Sequence, residues 1–333
     1  MLDLSIIIPC LNEEKYISTC IESILNSDID FKSCEIIFVD GNSRDRTVEI
    51  ITTYQEKYSF IKLLHNPKKI TPVSMNIGIK EARGDFIFII SAHANYPKDY
   101  FKKLYDYLIK LKADCVGGVL ITDVKNKNKK SNSIKEVLSH PLGVGNASFR
   151  TGSSKIKEVD TVAFGCYTRE SFKNYGLYNE KLVRNQDIEL NKRIIKCGGK
   201  IYLIPDVKCT YYARENFWDL AKNNFNNGYW NILTAYYTKS LCSLSLRHFI
   251  PLLFICSVFL PVILSIFYTK ILYITFFSLG SYLLFVTIIS FKLKNNKNNI
   301  FNLIWGFITL HFSYGLGSFV GLFSVIKKYI KGN

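Results

Sequence analysis

The string Arg184-Asn185-Gln186-Asp187-Ile188-Glu189-Leu190 sets a guanidinium, two amides and two carboxylates ahead of Leu190, Ile194 and Ile195, which are spaced for one apolar helix face. Asp187 therefore falls at the mouth of a helix. A carboxylate there can cap free backbone N–H groups, or it can face a cleft and take a proton from a hydroxyl. Both readings stand on this stretch alone, with Glu189 and Asp160 as the fallback carboxylates. A second chemical group is Ser91-Ala92-His93, which closes the apolar run Asp85 to Ile90. His93 there is either a metal ligand or a satisfied histidine at a strand end. Asp40-Gly41-Asn42-Ser43, with Asp45 behind it, closes the run Glu35 to Val39. Its carboxylates suit turn and cap roles as readily as ligand binding.

These groups need elements to hold them. Leu4–Ile8, Glu35–Val39, Ile61–Leu64 and Asp85–Ile90 are apolar runs of strand length. Helical patterns separate them, from Asn12 to Leu25, Asp45 to Tyr58 and Thr71 to Gly84. Alternating strand and helix predicts a doubly wound, mostly parallel sheet whose ligand lies at the carboxyl ends of the strands. A helix from Pro97 to Lys112, strands at Asp114–Val119 and Val159–Gly165, a solvated loop at Lys125–Lys130 and a last strand at Lys200–Ile204 follow. No G-x-G-x-x-G follows the first strand and no G-x-x-x-x-G-K-S/T occurs, so the dinucleotide and P-loop phosphate cradles are both missing.

Composition narrows the setting. The formal charge of +16 suits anionic partners, and with scattered lysines and no nucleic-acid motif those are phosphorylated substrates or lipid headgroups. The nine cysteines stand singly, at 10, 20, 34, 115, 166, 197, 209, 242 and 256, which predicts free thiols in a reducing compartment. The start of the chain lacks the apolar length of a signal peptide, so residues 1–213 are expected as a cytosolic domain. Residues 214–240 read as an amphipathic interfacial helix with a stripe of Phe217, Ala221, Phe225, Tyr229 and Leu233. Residues 241–333 read as a membrane region with two or three transmembrane helices, from the apolar runs Phe249–Tyr268, Ile271–Phe291 and Phe301–Ile326. Lys292, Lys294 and Lys297 fall on the cytosolic side under the positive-inside rule; three full passes would put Lys327, Lys328 and Lys331 on the other. Either the third run is re-entrant or the rule is broken.

Pro9-Cys10-Leu11-Asn12-Glu13, Val39-Asp40-Gly41-Asn42-Ser43-Arg44-Asp45, Asn76-Ile77-Gly78-Ile79 and Ala82-Arg83-Gly84-Asp85, in that order, resemble the landmarks of family-2 glycosyltransferases, inverting enzymes of the GT-A fold. Ala92-His93-x-x-Tyr96-Pro97, Gly143-Val144-Gly145-Asn146-Ala147-x-Phe149-Arg150, Val159-Asp160-Thr161-Val162 and Arg184-Asn185-Gln186-Asp187 most resemble the glucosyltransferases of succinoglycan-type exopolysaccharide synthesis. The resemblance implies a nucleotide-sugar donor, UDP-glucose or similar, and a polyprenyl-linked saccharide acceptor. It implies that Pro9, Asn12, Glu13, Asp40, Asn42, Asp45, Asn76, Ser91 and Ala92 serve the nucleotide sugar, and that Asp187 is the catalytic base. Arg184, Asn185, Gln186 and Arg214 would serve the acceptor or diphosphate. His93 would be the protein ligand of a divalent cation, Mn²⁺ or Mg²⁺. The family's first metal carboxylate is replaced by Ser91, which weakens the set for Mg²⁺ and leaves Lys68, Arg169 or Arg184 as substitute cations. The implied location is the inner membrane, multi-pass, with the catalytic domain cytoplasmic. Two alternatives are a polyprenyl-phosphate sugar synthase and a catalytically weak nucleotide- or lipid-binding paralogue.

Overall fold

The first, second and fourth apolar runs become strands buried on both faces, and the third becomes a half-buried edge strand. They are β1 (Leu4–Cys10), β2 (Cys34–Asp40), β3 (Ile61–His65) and β4 (Phe86–Ile89), separated by α1 (Ile17–Leu25), α2 (Thr47–Lys57) and α3 (Thr71–Glu81). The computed structural model describes residues 3–241 and 244–331, so Cys242 lies outside the described residues. Next come β5 (Ala94–Asn95), α4 (Tyr100–Leu111), β6 (Cys115–Asp123), α5 (Lys129–Ser139), α6 (Pro141–Val144) and α7 (Ser148–Thr151). Then follow β7 (Lys157–Glu158), β8 (Cys166–Thr168), α8 (Arg169–Tyr175), α9 (Gln186–Lys196) and β9 (Ile201–Tyr212). The last helices are α10 (Phe217–Thr238), α11 (Ile250–Leu264), α12 (Leu272–Leu293) and α13 (Ile300–Ile330).

The chain packs as two compact units, residues 3–121 with 147–212, and residues 122–146 with 213–331. In the first, the strands run in the order β3-β2-β1-β4-β8-β6-β9-β5, with β7 on β9. β3, β2, β1 and β4 are parallel to one another, and beyond them β8 joins β4 antiparallel. Alternate residues face opposite layers. Ile6, Ile8, Phe38 and Phe88 pack with Ile17, Ile21, Phe101 and Leu104 of α1 and α4. Ile7, Ile37, Ile87 and Ile89 pack with Ile79 of α3 and with Leu190 and Ile194 of α9. The period of two within each strand thus puts the helix that carries Asp187 on the second face.

A buried carboxylate locks the turn before β4. Glu35 accepts hydrogen bonds from Ser5 Oγ (2.7 Å), Arg83 N (2.6 Å) and Lys62 Nζ (2.8 Å). Ser5 Oγ in turn accepts the N–H of Gly84 at 2.9 Å, and a Cβ on Gly84 would stand 2.6 Å from the carbonyl carbon of Leu4. Ala82 to Asp85 is therefore a clamp on β1.

Three sequence expectations change. Val159–Gly165 is not a strand: between β7 and β8 the backbone leaves the sheet, Phe164 taking φ +52°. The Lys125–Lys130 loop ends early, since Asn128 caps α5 by accepting from the N–H groups of Lys130 and Ser131. β9 runs through Pro205 to Tyr212, paired with β7 at Tyr202 and Leu203 and with β5 at Thr210 and Tyr211.

In the second unit α10 lies along α13. Its buried face is Leu220, Asn224, Gly228 and Ile232, one position away from the Phe217–Leu233 stripe, of which Phe217, Ala221, Phe225 and Tyr229 stay partly exposed. Small and polar residues win that face because they allow backbone contact: a Cβ on Gly228 would clash with the carbonyl of Tyr314, and one on Gly317 with that of Phe225. Three helical stretches, Leu246–Leu264, Thr269–Leu293 and Ile300–Ile330, are long and apolar enough to cross a membrane.

Candidate active site

The carboxyl ends of β1, β2 and β4 open on a cleft of about 330 Å³ in the first unit. Pro9, Cys10, Leu11, Glu13 and Gly41 line one end, with Lys69 and Thr71 from the entry to α3. Ser91 and His93 line the middle. Val162 to Gly165, Tyr178, Gln186, Asp187 and Tyr211 line the other end.

The first end is built by two crossing loops. Asp40 is buried and accepts from the N–H groups of Asn42 (2.8 Å) and Ser43 (3.0 Å) and from the Ser43 hydroxyl (2.6 Å). Asn12, at φ +56°, donates its N–H to Ser43 Oγ (2.8 Å) and accepts the N–H of Arg44 (2.8 Å). Asp45 accepts the N–H of Glu14 at 3.1 Å and the hydroxyl of Thr47 at 2.5 Å. Burial would raise its carboxyl pKa, but these hydrogen bonds outweigh that and lower it. Pro9 and Glu13 thus reach the cleft, whereas Asn12, Asp40, Asn42 and Asp45 shape the loops behind it. Asn76 and Ala92 are not among the lining residues. Asn76 donates to Tyr178 O (2.9 Å) and Glu180 Oε1 (3.1 Å) and accepts from Tyr178 N (3.0 Å), while Ala92 is 1% exposed.

In the middle, Tyr96 OH fixes the end of β4, accepting the N–H of Ser91 (2.9 Å) and donating to its carbonyl (3.0 Å). His93 Nδ1 meets Glu13 Oε1 at 2.9 Å. A carboxylate on Nδ1–H sets the tautomer that leaves Nε2 unprotonated, the form in which imidazole binds a cation. Among the described residues no group of three or more His, Cys, Asp or Glu side chains could enclose a metal. A cation here would be held by His93, with Ser91 beside it, and would need its other oxygen ligands from a bound anion.

At the far end Asp187 sits in the first turn of α9 after Asn185, which takes φ +62°. Burial pushes the Asp187 carboxyl pKa up, against the opposing pull of the backbone N–H groups of Ile188 and Asp187 and the charge of Arg150. Gln186 Oε1 beside it is buried without a hydrogen-bond partner among the described residues. One turn on, Asn191 is fully buried, accepting from Tyr167 OH (3.1 Å) and donating to Thr161 Oγ1 (2.9 Å). That network fixes the rotation of α9, and so the direction in which Asp187 faces. The fallback carboxylates are otherwise engaged: Glu189 pairs with Arg193 at 2.9 Å and Asp160 with Lys192 at 3.8 Å.

The cations divide differently from the sequence expectation. Lys68 pairs with Glu180, and Arg169 is bound to the carbonyls of Ala82 and Gly84. Arg184 is half-buried outside the lining, and Arg214 is exposed in the second unit. Lys69 lines the cleft, at φ +59°; Arg150 is not among the lining residues, but its guanidinium lies 5.1 Å from the ring centre of Tyr211, which is one of them. The sequence reading missed Lys69, Arg150 and Tyr211 as site residues. The loop before α3 marked Lys69 and the Gly143–Arg150 motif contained Arg150, but Pro205 hid the strand that brings Tyr211.

The family model for glycosyl transferase family 2 matches residues 5–175. A dolichyl N-acetyl-α-D-glucosaminyl phosphate 3-β-D-2,3-diacetamido-2,3-dideoxy-β-D-glucuronosyltransferase of Methanococcus voltae is 32% identical over 248 residues, 69% of this chain and 76% of the relative. The succinoglycan biosynthesis protein ExoA of Rhizobium meliloti is 29% identical over 250 residues, 74% of each chain. Among solved structures, the mannosyltransferase PcManGT of Pyrobaculum calidifontis, in complex with GDP-Man and Mn²⁺, superposes with a TM-score of 0.62 at 14% identity, over 96% of this chain and 87% of that one. At that identity the likeness establishes the GT-A fold alone.

Proposed function

Because the chain belongs to glycosyl transferase family 2, we propose that it moves one hexose from a nucleotide sugar, UDP-glucose or similar, to a lipid-linked saccharide, with inversion at the anomeric carbon. The observation that carries this reading is Asp187, a carboxylate whose pKa burial raises, lining the same cleft as the loops after β1 and β2. A base needs a pKa closer to working pH than an ordinary aspartate has, and burial supplies that shift. Asp187 takes the proton of the acceptor hydroxyl. The freed oxygen attacks the anomeric carbon opposite the leaving nucleoside diphosphate, so an α-linked donor yields a β-linked product.

The remaining residues take their roles from position. Pro9, Glu13 and Gly41 receive the nucleoside, over the loops held by Asn12, Asp40, Asn42 and Asp45. Lys69 stands at that end as a cation for the diphosphate. A divalent cation on His93 would supply further neutralisation of the leaving group, with Glu13 orienting the imidazole. Arg150, whose charge acts on Asp187 and whose guanidinium packs on Tyr211, suits an acceptor carrying a phosphate. The Methanococcus voltae relative is named for a dolichyl phosphate-linked sugar acceptor, and an acceptor of that kind fits both Arg150 and the apolar helices. We place the enzyme in the inner membrane with the cleft on the cytoplasmic side.

The test is mass spectrometry of lipid-linked glycans from cells with and without the gene, alongside membranes supplied with a panel of nucleotide sugars. The expected result is one glycan, shorter by a single hexose, that accumulates when the gene is absent. A product consisting of a single sugar on polyprenyl phosphate would instead identify a polyprenyl-phosphate sugar synthase.

A further inference from the structure

α10 and α13 lie side by side and run in the same direction. A Cβ on Gly306 would meet Phe217, one on Gly317 would meet Phe225, and one on Gly321 would meet Tyr229; Tyr236 contacts Tyr329 edge to face. The two helices therefore share depth over nearly the whole of α13. Whatever medium surrounds one surrounds the other.

α10 cannot occupy hydrocarbon. It carries Asp219 and Lys222, both exposed, and Asn223, Asn226 and Asn227, and it is not among the helices apolar enough to cross. Lys222 lies between the levels set by Phe217 and Phe225, which is the middle of α13 and would be the bilayer midplane if α13 crossed. The first half of α13 is flanked by a second polar element. Ser133 of α5 hydrogen-bonds the backbone of Asn299, and the carbonyl of Leu142 in α6 meets His311 Nε2 at 2.9 Å. α5 itself carries Lys129, Lys130, Lys135 and Glu136.

The outer face of α13 is nonetheless apolar along its length: Phe301, Trp305, Leu316, Val320, Phe323 and Ile330 are all exposed. A helix with polar protein on one side and one continuous apolar face on the other, with Trp and Tyr near its ends, matches the headgroup–acyl boundary. α11 and α12 differ in exposure: few of their residues are buried, and they meet α13 over its first half, with Pro251 at Gly315, Phe254 at Phe312 and Tyr282 at His311.

We propose that only α11 and α12 cross the bilayer, as a hairpin, and that α13 lies in the plane of the interface with its exposed apolar face in the acyl boundary. The topology then has one consequence for charge. Lys292, Lys294 and Lys297 and the terminal Lys327, Lys328 and Lys331 fall on the same side, and Lys270 alone sits in the turn between the crossing helices. The conflict with the positive-inside rule disappears without a re-entrant loop, which the unbroken helix Ile300–Ile330 does not form.

The test uses the full chain in cell membranes, with a reporter fused after α13 or inserted in the turn at Tyr268–Lys270. A fluorescent protein should be bright after α13, and alkaline phosphatase should be active only in the turn. Because a fusion can disturb insertion, the untagged protein in sealed inside-out vesicles is also treated with trypsin, and cleavage after Lys327 and Lys328 is read by mass spectrometry. Cleavage there, together with cleavage in residues 3–121, supports the hairpin. Phosphatase activity after α13, or protection of Lys327 and Lys328 in vesicles where residues 3–121 are cut, would overturn it.

Discussion

In the proposed reaction Asp187 and Arg150 serve the acceptor, and they have opposite effects on one proton. Burial raises the carboxyl pKa of Asp187 and the guanidinium opposes that rise. If Arg150 also seats an acceptor phosphate, Arg150→Gln should raise the acceptor KM about 10- to 100-fold, the worth of one charge-assisted hydrogen-bond pair, while UDP affinity measured by calorimetry holds. An unchanged acceptor KM would remove Arg150 from the site. Ser91 makes a second residue-scale case. With only His93 and a hydroxyl from the protein, Mn²⁺ should bind weakly without UDP and more tightly with it, and Ser91→Asp should strengthen binding in both states. Electron paramagnetic resonance of Mn²⁺ reads this directly, and an equal affinity in the two proteins would mean the cation sits elsewhere.

At the scale of elements, α9 is aimed by a residue that does no chemistry. Asn191→Leu removes the bonds to Tyr167 and Thr161 but keeps the volume. Turnover should fall while UDP affinity is retained, and the loss should be partly restored in Asn191→Asp, which can still accept from Tyr167. A loss of UDP affinity in proportion to turnover would make Asn191 a fold residue only. The Glu35 clamp carries a pH signature. Burial alone would raise its pKa, but bonds from Lys62, Arg83 and Ser5 lower it overall. Its contribution to stability is therefore complete above the unfolded glutamate value of about 4.3 and is lost as pH falls through the lower folded value. Glu35→Gln should cost about 1–3 kcal/mol at neutral pH in chemical denaturation and progressively less in acid. A pH-independent difference would contradict that assignment.

The same elements show what was legible in the sequence. The parallel half of the sheet could be read because β1, β2 and β4 are continuous apolar runs, and Asp187 because its helix has a clear period. Val159–Gly165 could not, since Val162 there lines the cleft and Thr161 bonds Asn191 instead of joining a ladder, and propensity does not distinguish the two. Asn76 and the Ala82–Asp85 turn belong to the family pattern, yet the structure shows them holding α3 to the Tyr178 loop and the chain to β1. An ordered motif gives the fold without saying which of its residues touch a ligand. The α10 face that meets α13 was not legible, because close helix contact selects Gly and Asn, which hydrophobicity alone does not mark.

For the molecule as a whole, the proposed reaction is sugar transfer at the cleft with Asp187 as its base. The most direct measurement is Asp187→Asn in the full-length enzyme in membranes, with turnover and UDP-sugar affinity taken from one preparation. Because the pKa of Asp187 is raised, ionisation opposes folding: its destabilising effect grows as pH rises from the unfolded aspartate value through the folded one. The Asn variant should therefore melt no lower than the parent at neutral pH. Its turnover should fall about 10²- to 10⁴-fold with UDP-sugar affinity held, and the acid limb of the parent's pH profile should lie above the ordinary aspartate pKa of about 3.9. Turnover within a few-fold of the parent, at unchanged affinity, would contradict the account and return Asp187 to the role of a helix cap.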